Sequence, residues 1–299
     1  MDVARLAAIV ATPVLAVCFA AYQCSPRMRL LRLCGSSAWN AAVAVRAKQL
    51  LLQTEALAPV PLANDASQLD TEECARRLLG SRHDPQSRAA QNLRQLLAFV
   101  AELHALHAEI RRQKQPFDPD DAAQLALLRR LWEVFHPEET FCARSPAYLR
   151  LGFQGHDPAS DFRGMGCLAL RELVHFSEAF PKEAMQLADG WECENGEPRS
   201  LPLALTAINA TAWLWTLLLD GHLDCCFFMH GATLRTYRDL YCELVRGFVR
   251  TWTSEAPESI AEFERIQTWY LTEVRGRLGG AQRNRKLVQA VLDVFEKLA

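Results

Sequence analysis

From residue 36 to the end of the chain, apolar positions return every three or four residues, the period of a helix buried on one face. The spacing predicts helices over residues 36–57, 70–79 and 86–113, the last with Leu93, Leu96, Leu97, Val100, Leu103 and Leu106 on one stripe. Pro116-Phe117-Asp118-Pro119 stops that helix and predicts another, capped by Asp118 with Pro119 in its first turn. It carries Leu125, Leu128, Leu131, Trp132 and Phe135, read as core packing. A glycine-rich loop from Leu151 leads into a helix with Met165, Leu168, Leu173 and Phe176 at helical spacing, and Pro181 opens a short helix. Residues 201–219 are uncharged, but Thr206, Asn209, Thr211 and Thr216 predict a central buried helix rather than a membrane span. Residues 233–252 place Leu234, Tyr237, Tyr241, Leu244, Val245, Phe248 and Trp252 on one face, with Arg235, Arg238, Arg246 and Arg250 mostly on a solvated one. Pro257-Glu258 starts a helix that Gly279-Gly280 is expected to break, and a last amphipathic helix follows over 281–298. Strand signals are nearly absent. The pattern predicts an all-α, multi-helix globular protein.

Punctuation divides the chain further. Residues 58–69, with two prolines, read as a linker, and 189–200 as a polar turn region. We expect an apolar anchor or targeting segment over 1–35, a helical region over 36–117, a principal domain over 118–278 and a C-terminal helix over 279–299. Leu6 to Tyr22 holds no charge over 17 residues. As a helix it would span roughly 26 Å, just short of the ~30 Å hydrocarbon core. Arg27, Arg29 and Arg32 follow it, and the positive-inside tendency puts that side in the cytoplasm. Three readings stand: an anchor placing the protein on the cytoplasmic face of an intracellular membrane, a mitochondrial targeting segment, or an Ala-rich helix packed on a partner. Pro13 interrupts any straight helix through this stretch.

Charge and chemistry narrow the function. Net charge is −2, so there is no basic footprint for nucleic acid. Residues 1–60 hold six Lys/Arg against two Asp/Glu, a basic front suited to an anionic surface. The ten cysteines form no C-x-x-C pair and no zinc spacing. Cys167 reads as a small core residue, and His104 and His107 as a solvated or packing pair. No Walker loop, dinucleotide fingerprint or nucleophile elbow occurs. We expect no metal, no cofactor and no nucleotide bound by the chain itself.

What remains is Leu151–Phe176, LGFQGHDPASDFRGMGCLALRELVHF. Ser160 or Asp161 is the expected N-cap of its helix, which puts Arg163 in the first turn. Helix N-termini favour anions, so a cation there needs either a partner or an anionic ligand. One reading pairs Arg163 with Asp157 or Asp161 and makes it a pin for the loop. The other reserves it for phosphate, since guanidinium is permanently charged and its planar fork can hold two phosphate oxygens. The flanking Gly164 and Gly166 leave room for close approach.

Gly152-Phe153-Gln154, Pro158, Asp161-Phe162-Arg163-Gly164, Gly166, Leu170, Leu173 and Phe176 resemble the signature of the ELMO domain, in its ELMOD branch. Tyr148 stands where that family usually has tryptophan, and Ser160 where it has threonine. The resemblance implies a GTPase-activating protein for Arf and Arf-like small GTPases in their GTP form, with Arg163 as the catalytic arginine. The engulfment-adaptor branch generally lacks that arginine. Gly152, Phe153, Gln154, Asp161, Gly164 and Gly166 are then expected to bind the partner or position the loop. A rival reading keeps the ELMO fold as a non-catalytic scaffold among subunits of a larger complex.

Overall fold

The structure, a computed structural model, describes residues 30–31, 33–34, 36, 39–52, 70–80, 84–190 and 201–281. The apolar stretch 6–22, the expected linker 58–69 and the residues after 281, where a last helix is expected, lie outside them. Every regular element among the described residues is helical. The chain falls into two units, residues 1–105 and 106–299.

The first unit contains α1 (Ala41–Leu51), α2 (Thr71–Leu79) and the start of α3 (Arg88–Gln113). Asn40 caps α1 by accepting from the Val43 amide, and Asp70 caps α2 by accepting from Glu73. Each cap answers an amide with no helical partner of its own. Leu93, Leu96, Leu97 and Val100 are all buried, as their spacing predicts. The Asn92 side chain donates to the Cys34 carbonyl at 2.7 Å, and Trp39 donates to Gln95 at 2.9 Å.

The second unit contains the end of α3 and α4 (Ala122–Phe135), α5 (Ala147–Arg150), a 3-10 helix (Pro158–Arg163), α6 (Gly166–Ala179), α7 (Pro181–Gly190), α8 (Leu203–Leu219), α9 (Asp224–His230), α10 (Leu234–Glu255), a short 3-10 turn (Ile260–Glu262) and α11 (Phe263–Ala281). The hub is α6 as much as the expected 201–219 segment: α6 packs on α4, α7, α8, α10 and the first 3-10 helix. Its composition explains this. Cys167, Leu168, Ala169, Leu170, Leu173, Val174 and Phe176 are all buried, so apolar surface goes nearly round the helix. Each such large side chain taken from water contributes about 1.5–3 kcal/mol. In α8, Asn209 donates back to the Leu205 carbonyl at 2.8 Å, satisfying itself within its own helix.

Several expected details differ. Asp118 does not cap α4; it closes a turn by accepting from Asp120, and Asp121 caps instead, accepting from Ala123 and Gln124. Gly279-Gly280 does not break the helix, which continues to Ala281, because two glycines cost helix propensity without blocking its hydrogen bonds. Arg246 does not lie on a solvated face. It is only 12% exposed and bonds Glu183 of α7 and Glu243 of its own helix, at 2.9 and 2.7 Å. Its guanidinium also covers the Phe180 ring at 4.8 Å.

Candidate functional site

An aromatic row supports the loop from below. Trp132 of α4 meets Tyr148 at 5.5 Å, Tyr148 meets Phe153 at 5.6 Å, Phe153 meets Phe162 at 5.8 Å, and Phe162 meets Phe117 at 5.6 Å. These centroid spacings suit edge-to-face pairs, each worth about 0.5–1.5 kcal/mol beyond burial. Tyr148 is fully buried, and its hydroxyl donates to the Cys142 carbonyl at 3.0 Å.

Two glycines let backbone come close to that row. Gly152 has φ +84°, and a Cβ there would lie 2.5 Å from the Pro202 Cβ. Its neighbour's carbonyl, Leu151, accepts from Ala204 at the start of α8 at 2.8 Å. Gly166 has φ +58°, and a Cβ there would lie 2.1 Å from the Gln115 carbonyl oxygen. That same oxygen accepts from the Cys167 amide at 2.8 Å. A backbone carbonyl at the end of α3 thus answers an amide in the first turn of α6. Gly166 is therefore a packing residue, not an opening for a partner. Gly164, by contrast, is exposed, and a Cβ there would meet nothing within 4 Å.

The turn carrying Arg163 is not the first turn of α6. Asp157 caps a separate 3-10 helix by accepting from Ala159 at 3.0 Å, with Pro158 following. Neither Ser160 nor Asp161 caps α6, whose N-cap, Met165, makes no side-chain bond. Arg163 therefore ends a short helix instead of beginning a long one. The difficulty of a cation at a positive helix end disappears: a basic side chain near a helix C-terminus can bond its last carbonyls. Arg163 does so, donating Nε–H to the Ser160 carbonyl at 2.7 Å.

Neither expected partner holds the guanidinium. Asp157 pairs with Arg144 at 2.8 Å. Asp161 accepts from the Gln154 amide at 2.8 Å and lies 3.3 Å from the Ser160 hydroxyl. Among the described residues Arg163 has no carboxylate partner, and its side chain is exposed. Its two terminal nitrogens are left with donors to offer. The structure thus brings Arg163, Gly164 and the exposed Gln154 to the surface. Gly152, Phe153 and Gly166 lie inside as supports, and Asp161 is half-buried as a tie. Phe153, only 4% exposed, has no surface for a partner.

Sequence reasoning missed Arg144, Pro202 and the Gln115 and Ser160 carbonyls. Backbone acceptors leave no trace in residue type. Asp157-Pro158 was the visible signal for a separate helix start. Elsewhere, Cys167 is fully buried and its thiol is pushed up by that burial, as an inert core residue is. Among the described residues no three His, Cys, Asp or Glu gather where they could hold a metal ion.

An all-helical unit that offers one exposed arginine on a braced turn is the class defined so far. The family follows from comparison. A family model described as ELMO/CED-12 matches residues 108–267, more than half of the chain, and the chain belongs to that family. It is similar to ELMO domain-containing protein B of Dictyostelium discoideum, at 36% identity over 165 residues, covering 55% of this chain and 57% of that protein. It is similar to ELMO domain-containing protein 2 of Homo sapiens at 34% over 172 residues, covering 56% and 57%. With ELMO domain-containing protein 1 of Mus musculus the identity is 31% over 173 residues, covering 52% and 53%. The match thus spans a little over half the length of these relatives.

Proposed function

We propose that this chain is a GTPase-activating protein for an Arf or Arf-like GTPase in its GTP form. The observation that carries the reading is the exposed Arg163 guanidinium, held at Nε by its own turn and unpaired with any described carboxylate. In GTP hydrolysis water attacks the γ-phosphorus, the bond to the β-phosphate oxygen breaks, and GDP and inorganic phosphate leave. Negative charge moves through the phosphate oxygens during that exchange, and a guanidinium inserted from outside can stabilise it. Such an arginine is worth about 10³–10⁵ in rate, or roughly 4–7 kcal/mol of barrier. The GTPase supplies the nucleotide, its Mg²⁺ and the group that orients the water. This chain supplies one charge and a bare approach: Gly164 beside the arginine has no side chain to collide with a neighbour.

Lysine cannot replace this arrangement. Arg163 uses Nε for the Ser160 carbonyl and keeps two further nitrogens, whereas a lysine has one ammonium for both tasks. Single-turnover hydrolysis by Arf and Arf-like GTPases, with the wild-type chain, Arg163→Lys and Arg163→Ala, tests the reading. Stimulation by wild type alone is expected. Equal stimulation by all three removes the catalytic role and leaves the ELMO fold as a docking scaffold.

A further inference from the structure

Resting on that reading, we infer that Asp161 is the positioning residue for Arg163, acting through the peptide it shares with Ser160. The carbonyl that accepts Arg163 Nε–H belongs to the Ser160–Asp161 peptide bond. On one side of this peptide, the Asp161 carboxylate is tied to the Gln154 amide at 2.8 Å. On the other, the Ser160 hydroxyl donates to the Asp157 carbonyl at 3.0 Å. Asp157 is itself held by Arg144 at 2.8 Å. The peptide plane therefore has a tether at each end, and the Asp161 tie reaches back seven positions along the chain to Gln154. Its carbonyl direction is fixed, and the guanidinium that bonds it inherits that direction.

With Nε engaged, the guanidinium meets an incoming phosphate end-on, through its two terminal nitrogens. Without the Asp161 tie, the peptide can rotate, the Nε bond loosens, and the long side chain recovers its rotamer freedom. Docking of the partner does not need this order, but transition-state contact does. A misplacement of about 1 Å can cost on the order of 10²-fold in rate.

The test has two arms on the full chain. The first needs no GTPase: amide-type exchange of the Arg163 Nε–H, read by nitrogen-15 NMR against Arg235, an exposed arginine on α10. In the wild type we expect Arg163 to exchange about tenfold more slowly than Arg235, Asp161→Ala to abolish the difference, and Asp161→Asn, which keeps an acceptor oxygen, to restore most of it. Equal exchange of the two arginines in the wild type overturns the inference. The second arm is stimulated single-turnover hydrolysis. Asp161→Ala should lower the maximal rate on the order of 10²-fold with the half-saturating concentration nearly unchanged, and Asp161→Asn should recover it. A folded Asp161→Ala chain that stimulates like wild type overturns the inference while leaving Arg163 catalysis intact. A wild-type chain that stimulates no GTPase instead overturns the proposed function, and the exchange arm still judges the tie.

Discussion

At the scale of single residues, the glycines of the loop have opposite duties. Gly152 is forced by geometry: a positive φ of +84° and Pro202 at 2.5 Å from a would-be Cβ. Gly152→Ala meets both the left-handed backbone penalty and a clash, so we expect a loss of about 2 kcal/mol or more in chemical denaturation. Gly164 has a φ of −78° and open space around it. Gly164→Ala should leave stability within about 0.5 kcal/mol, and Gly164→Trp should weaken GTPase stimulation without unfolding the chain. Equal destabilisation by the two alanine variants would contradict the assignment of one glycine to packing and the other to approach.

Among elements, the contact between α6 and α10 buries a titratable carboxyl. Glu172 of α6 is 0% exposed, and its Oε1 accepts from Arg238 Nε of α10 at 3.4 Å. Its other oxygen is buried with no hydrogen-bond partner. Burial raises its pKa to about 7 from the ordinary 4.5, against the lowering pull of Arg238 and Arg171. The folded protein therefore holds this proton more tightly than the unfolded chain. The resulting stabilisation is whole below pH 4.5 and is lost as pH rises through about 7. Over that window the loss is roughly 3 kcal/mol, at about 1.36 kcal/mol per unit. Glu172→Gln cannot titrate, so its stability relative to wild type should improve steadily across the window in denaturation curves at stepped pH. A wild type and variant that stay parallel from pH 4.5 to above 7 would show that the carboxyl is not held as described.

The elements also show what the sequence could and could not reveal. The long helices were legible because Leu93, Leu96, Leu97 and Val100, or Leu168, Leu173 and Phe176, repeat with the helical period and are buried where expected. The 3-10 helix was not, since six residues are too few for a period to emerge. Asp-Pro marks a turn at both Asp118 and Asp157, and in both places the long helix starts several residues later. Arg163 was legible as chemistry, but its ligand within the chain is a carbonyl, which any residue at position 160 would supply. Arg246 misled for another reason: a long cation spaced off an apolar stripe looks solvated until a neighbouring helix brings Glu183 to it.

For the whole molecule, the catalytic proposal and the membrane proposal are separate. No single helix among the described residues is long and apolar enough to cross a membrane. Residues 6–22, which lie outside them, form an uncharged 17-residue stretch followed by three arginines. We propose that this stretch holds the protein on the cytoplasmic face of an intracellular membrane, with a mitochondrial location as the alternative. The full chain should sediment with membranes through an alkaline carbonate wash, and deletion of 6–22 should release it. Release of the undeleted chain by the same wash would remove the anchor without touching the GTPase reading.

The central claim is that one exposed guanidinium does chemistry on another protein's nucleotide. Its most direct measurement is the single-turnover rate of GTP loss from a preloaded Arf-family GTPase, with wild-type chain or Arg163→Lys at saturating concentration. Wild type is expected to raise the rate by about 10³-fold or more, and the lysine variant to lose nearly all of that gain. An undiminished rate with lysine would contradict it.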